Sequence, residues 1–125
     1  MNNQSLGRYG EDLAAVFLEG KGYRILDKNF KIKLGEMDII AQDGKVICFI
    51  EVKSRTSLSC GMPYESVHIH KQRQMVRVAW SYLKFKFNTV DMPARFDVVS
   101  IYKAPCGPAR IEHIVNAFDL TYLSH

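Results

Sequence analysis

Val46-Ile-Cys-Phe-Ile50 is an unbroken apolar run, and it follows almost directly on Asp43-Gly44. Asp-Gly between two β-rich segments is a strong signal for a two-residue hairpin. It predicts antiparallel strands over Glu36–Gln42 and Lys45–Arg55. Side chains on a strand alternate between faces. Ile47 and Phe49 take one face, and Val46, Cys48, Ile50 and Val52 take the other. A strand apolar on both faces belongs in the middle of a sheet covered on both sides. The chain must therefore supply a layer for each face.

The flanking sequence supplies those layers. Leu6, Tyr9, Leu13, Val16 and Phe17 recur at helical spacing, and Ser5 is placed to cap a helix from Leu6 to Gly20. Tyr23–Ile32 reads as a first strand. A polar loop over Ser54–Met62 leads to a second helix, Tyr64–Phe87, with Met75, Val78, Ala79, Tyr82 and Leu83 at helical period. Trp80 and Phe85 read, with Tyr82, as core residues rather than base-stacking ones. Arg95–Tyr102 and Arg110–Val115 are the last two strands. The order αβββαββ predicts an α/β sandwich around one mixed sheet of about five strands. A length of 125 residues fits one domain over the whole chain.

Composition narrows the function classes. With 47% hydrophobic residues the chain is not a disordered one. The three cysteines are odd in number and widely spaced, so they form neither a disulfide framework nor a zinc ribbon. A reducing, cytoplasmic setting is expected. The start, Met1-Asn-Asn-Gln-Ser5, does not read as a signal peptide. No apolar run nears the roughly 20 residues of a membrane helix.

The hairpin also carries charge. With Gln42 opposite Lys45, Asp38 faces Phe49 and Glu36 faces Glu51. Glu36, Asp38, Glu51 and Lys53 then share a face, because paired residues do. Asp38 and Glu51 become diagonal neighbours within reach of one metal ion. Carboxylates beside a buried strand are costly unless they coordinate or pair. Hard oxygen ligands suit Mg²⁺ or Mn²⁺ rather than zinc. Lys53 is placed to orient a water or to offset negative charge at a reacting phosphate. A surface ion-pair cluster is the plain alternative, and a one-residue bulge would undo the face argument.

The net charge of +4 is unevenly spread. From Ser66 to Val90 there is no acidic residue, while Lys71, Arg73, Arg77, Lys84 and Lys86 are present. The remainder carries a net charge of −1. Arg73, Arg77 and Lys84 fall in a stripe along one helix face. Lys71, with His68 and His70, lies near the helix start, where anions are favoured. Such a surface suits a phosphate backbone, and an ordinary solvated helix face is the alternative.

Together, Gly35-Glu-Met-Asp38-Ile-Ile-Ala41 and Phe49-Ile-Glu51-Val-Lys53-Ser-Arg55 resemble the paired motifs of the PD-(D/E)-x-K nuclease superfamily. Met37 stands where the motif's name has proline. Nearly end to end, the chain is similar to the YraN-like proteins, small bacterial relatives of archaeal Holliday-junction resolvases. Gly7-x-x-Gly10-Glu11, Lys71, Arg95-Phe-Asp97-Val-Val99 and Asn116-Ala-Phe118 carry that likeness. The resemblance implies a restriction-endonuclease-like fold and a Mg²⁺- or Mn²⁺-dependent endonuclease acting on DNA, with branched or recombination intermediates among its substrates. It implies Glu11, Asp38 and Glu51 as metal ligands, a backbone carbonyl near Val52 beside them, and Lys53 as the catalytic lysine. Glu36 either adds a ligand or stands, like Arg55, behind the site, as a partner of Lys53 or Arg55. Lys71, Arg73, Arg77 and Lys84 would hold nucleic acid, and a homodimer is expected by analogy with resolvases. The rival reading is a non-catalytic nucleic-acid-binding module that keeps the fold.

Overall fold

The computed structural model describes residues 3–55, 68–103 and 107–118, without the side chains of residues 3–7 and 55. Along the chain run α1 (Asn3–Gly20), β1 (Arg24–Ile32), β2 (Gly35–Asp43), β3 (Val46–Arg55), α2 (Ile69–Phe87), β4 (Ala94–Tyr102) and β5 (Arg110–Ile114). The strands form one mixed sheet in the order β1-β2-β3-β4-β5. All neighbouring pairs are antiparallel except β3 and β4, whose parallel pairing is made possible by the α2 crossover. This is the expected α/β sandwich, with a helix on each face of the sheet.

The apolar run explains why β3 is central. Ile47 and Phe49 pack under α2 with Met75, Val78, Ala79 and Tyr82. Cys48 and Ile50 pack under α1 with Ala14, Leu18 and Val99. All four β3 residues are fully buried. Burial pushes the Cys48 thiol up to about 12, so it behaves as a small apolar side chain. On the other side, Tyr82 anchors α2 through edge contacts with Phe30 and Phe49 and a 3.1 Å hydrogen bond from its hydroxyl to Asp27.

Some expected boundaries move. α1 begins at Asn3, so Ser5 lies in its first turn rather than before it. α2 begins at Ile69, because His68 is extended; residues 64–67 of the expected helix lie outside the described ones. Two core expectations are overturned. Trp80 is 49% and Phe85 77% exposed, while Tyr82 is buried as expected. The apolar stripe of α2 turns Met75, Val78, Ala79, Tyr82 and Leu83 to the sheet, and Trp80 falls on the opposite ridge.

α1 comes close against β3 at Gly10. A Cβ there would collide with the Ser54 hydroxyl and lie 3.2 Å from Ser54 Cβ. Glycine thus sets the depth at which the neighbouring Glu11 is held over the sheet. Gly10→Ala is expected to cost about 1–3 kcal/mol in a denaturant melt, from overpacking. The loss should shrink in a Ser54→Ala background, which removes the nearer of the two obstructing atoms.

Candidate metal and phosphate site

The site begins with a fork in the sheet. The hairpin register pairs Asp43 with Val46 and Gln42 with Ile47, so the turn residues are Gly44 and Lys45. The expected pairing of Gln42 with Lys45 is therefore displaced. Each partner moves by two residues, which preserves face parity and would set Asp38 opposite Glu51. However, the β2–β3 ladder stops at Ile39–Ile50. Beyond it β2 continues along β1, to the pair Ile32–Gly35, while β3 continues along β4, to the pair Arg55–Tyr102. Asp38 stands where the two arms part.

There the strand alternation breaks. Met37 packs under α2, yet Ile39, two residues on, packs under α1. The same reversal occurs on the neighbouring strand. Phe30 packs under α2, whereas Lys28 reaches Asp12 of α1 at 2.7 Å. Between them Asn29 adopts a left-handed conformation, φ 54°, which asparagine tolerates better than most residues. The Asp38 carboxylate consequently lies toward β3, where its Oδ2 accepts the Val52 N–H at 2.8 Å. It replaces the backbone carbonyl that a continued ladder would have offered. The shared-face argument fails for Glu36, which turns with its ladder partner Lys31 to the α1 side; Lys31 Nζ lies 3.8 Å from its carboxylate.

Glu51 projects from β3 toward α2, where Lys71 Nζ lies 3.4 Å from its Oε2. Lys71 also donates to Gln74 Oε1 at 3.3 Å. Alternation along β3 keeps the half-buried Lys53 on the same face as Glu51. Asp38 and Glu51 bring their carboxyl groups within reach of each other. Burial, followed by the Glu51 carboxyl as a hydrogen-bonding neighbour and as a charge, pushes the Asp38 carboxyl up to about 8, against the Val52 N–H and Lys71. Glu11 arrives from α1. Burial lifts its carboxyl above the ordinary range; a hydrogen bond with Asn29 opposes this and the Asp38 charge adds to it.

The fork thus gathers Asp38 and Glu51 as a pair, with Glu11 on the α1 side and Lys71 on the α2 side. Among the described residues no three Asp, Glu, His or Cys side chains are close enough to hold a metal ion together. Arg55 is described in its backbone only, and the Ser54–Met62 loop lies mostly outside the described residues. Asn29 is the contributor that sequence reading missed. Spacing could not reveal it: Ile25 packs under α1 and Phe30 under α2, the opposite faces that an odd separation gives on a regular strand, because the register shift between Ile25 and Asp27 offsets the reversal at Asn29.

The other basic residues stand apart from the fork. Arg73, Arg77 and Lys84 are exposed on the ridge of α2 that faces away from the sheet. Only Lys71 of the expected nucleic-acid-binding set touches the carboxylates.

The remaining motif residues form a separate structural node. Asp97 is fully buried, with both carboxyl oxygens engaged. It accepts from Arg95 Nε at 3.1 Å and the Asn116 N–H at 2.9 Å, and His113 Nε2 lies 2.8 Å away. Phe118 stacks on Phe96 at 4.7 Å between ring centres. Arg95-Phe-Asp97 and Asn116-Ala-Phe118 therefore meet and pin the β5 end of the chain to β4.

Comparison with known proteins now places the chain. The model of an uncharacterised protein family, UPF0102, matches residues 10–101, which include every candidate residue of the fork. The chain belongs to the UPF0102 family. A UPF0102 protein of Geotalea uraniireducens is 48% identical over 121 residues, covering 97% of this chain and 94% of the relative. Those of Clostridioides difficile and Caldanaerobacter subterraneus are 45% and 42% identical, each over 94% of this chain. Among the described residues of this UPF0102 protein no helix is long and apolar enough to cross a membrane.

Proposed function

We propose that this UPF0102 protein is a metal-dependent endonuclease that hydrolyses phosphodiester bonds in DNA, with the fork between β2 and β3 as its active site. The observation that carries this reading is the Asp38–Glu51 pair. Two half-buried carboxyl groups stand side by side, and burial with the Glu51 charge beside it raises the Asp38 carboxyl. Such a pair suits a hard divalent ion in donor chemistry. Mg²⁺ commonly takes only one or two protein carboxylates and keeps its own waters, so Glu11 need not join the pair to contribute. When bound, the ion supplies Lewis-acid polarisation of the phosphate and a water of lowered pKa.

The protein's own groups would do the rest. The Val52 N–H orients Asp38. Lys71 offsets the charge of Glu51 until a ligand arrives, and then becomes available to a phosphate. Lys53, on the same face, orients the attacking water or offsets charge in the transition state. A groove of about 340 Å³ lined by Lys31, Gly35, Glu36, Lys71 and Gln74 offers room beside the pair for a strand of substrate. The buried, free Cys48 and a DNA substrate go with a cytoplasmic location.

The test is cleavage of branched, single-stranded and duplex DNA with Mg²⁺ or Mn²⁺ by the wild type, Asp38→Ala and Lys53→Ala. Wild-type cleavage that requires the metal, and falls by at least about 100-fold in both variants, is the expected result. Equal activity in all three would remove the fork as the active site. Metal-independent binding without cleavage would favour the non-catalytic module.

A further inference from the structure

We propose that the outer ridge of α2 is a stacking platform for unpaired bases of single-stranded nucleic acid. Trp80, the chain's one tryptophan, lies half-exposed on that ridge. Arg77 and Arg73 precede it by one and two helical turns, and Lys84 follows by one. Arg73, Val76, Arg77 and Trp80 line a groove of about 210 Å³. A large aromatic ring left open to water on a helix that already buries Met75, Val78, Ala79, Tyr82 and Leu83 is not needed for the core. Tryptophan and arginine together are typical of surfaces that bind something.

Charge identifies the occupant. No acidic residue occurs from Ser66 to Val90, and among the described residues none of Arg73, Arg77 and Lys84 has an acidic partner. The ridge therefore presents fixed positive charge beside a flat aromatic face. Cations in register with an aromatic ring match a phosphate chain carrying bases. A duplex meets the charge but hides its base faces, so the ring favours a single strand. This inference rests on the nucleic-acid reading above and narrows it: a nuclease with such a platform would take substrates that have unpaired segments.

Because Trp80 is the only tryptophan, its fluorescence reports on the platform alone. The wild-type protein is titrated in EDTA, where no cleavage occurs, with a single-stranded DNA oligonucleotide, the corresponding duplex, heparin and polyglutamate. Saturable quenching by the single strand, and little by duplex or by either base-free polyanion at matched charge, is expected. Trp80→Ala, read by anisotropy of a labelled strand, should bind roughly tenfold or more weakly, while Trp80→Phe keeps most of the affinity. Replacing Arg73 and Arg77 by glutamine should lower the salt dependence by about 0.7 per lost phosphate contact. No quenching, equal quenching by polyglutamate, or unchanged affinity in Trp80→Ala would overturn the platform. Polyglutamate binding would instead indicate an acidic protein partner. Since the titration needs neither metal nor turnover, its failure is distinct from failure of the fork as an active site.

Discussion

Asp97→Ala is expected to destabilise the protein by about 3–5 kcal/mol, the usual cost of breaking a buried charge network by removing one partner. Asp97 has no exposed surface, and three donors converge on it. Its removal leaves Arg95 with Asp43 and the Tyr23 hydroxyl, takes the partner from His113 Nε2 beside the Phe17 and Tyr23 rings, and frees the Asn116 N–H. Against a total stability of about 5–15 kcal/mol, such a variant would be close to unfolded at growth temperature. Asp97→Asn keeps an acceptor for the Asn116 N–H and should lose less. Urea melts of the three proteins decide this; a loss under about 1 kcal/mol for Asp97→Ala would show that the node holds little of the fold together. The network also sets an acid limit. Burial alone would raise the Asp97 carboxyl, but His113, the Asn116 N–H and Arg95 together hold it below the ordinary range. A carboxyl depressed on folding contributes stability above its unfolded pKa and loses it as pH falls through the folded value. Asp97 should therefore weaken the fold only in strong acid.

Asp38 works in the opposite direction. Its carboxyl rises from an ordinary 3.8 to about 8 on folding. A carboxyl raised in this way contributes stability that is complete below the unfolded pKa and is lost as pH climbs through the folded one. Metal-free protein should thus lose stability between pH 4 and pH 8, by an amount on the order of a few kcal/mol. Asp38→Asn cannot ionise, so it should flatten that slope and melt above the wild type at pH 8 in EDTA. The same substitution is expected to remove cleavage. Thermal melts in EDTA across this range provide the check. Parallel wild-type and Asp38→Asn curves would mean that the two carboxyls do not repel each other in the folded state. A residue whose removal stabilises the protein while abolishing its activity is the signature of a functional group held at a cost to the fold.

Much of this architecture was legible in the chain. The run Val46-Ile-Cys-Phe-Ile50 after Asp43-Gly44 demanded a doubly covered central strand, and β3 is that strand. The amphipathic periods of α1 and α2 supplied the two covering layers. The hairpin register was displaced because Asp43-Gly44 marks the turn without stating which two residues occupy its corners. The face parity of the hairpin survived because the displacement was even. The reading failed locally at Glu36, where the paired reversal at Asn29 and Asp38 turns the strand over. Trp80 was misplaced for a different reason: hydrophobicity placed it in the core, while the helical angle set by its neighbours placed it on the outer ridge.

The opening strand summarises the division between the two sources. Local chemistry in the sequence determined that β3 is central, that two helices cover it, and that acidic residues cluster where it emerges. These follow from side-chain polarity at fixed period, which any short stretch of chain expresses. Only the tertiary structure decided that the β2–β3 ladder ends at Ile39–Ile50, that Asp38 fills the gap by accepting the Val52 N–H, and that Glu11, Glu51 and Lys71 reach the fork from three different elements. Where a ladder stops depends on the competition of each strand's two neighbours, β1 for β2 and β4 for β3. That competition is absent from any one segment and exists only once the sheet has formed.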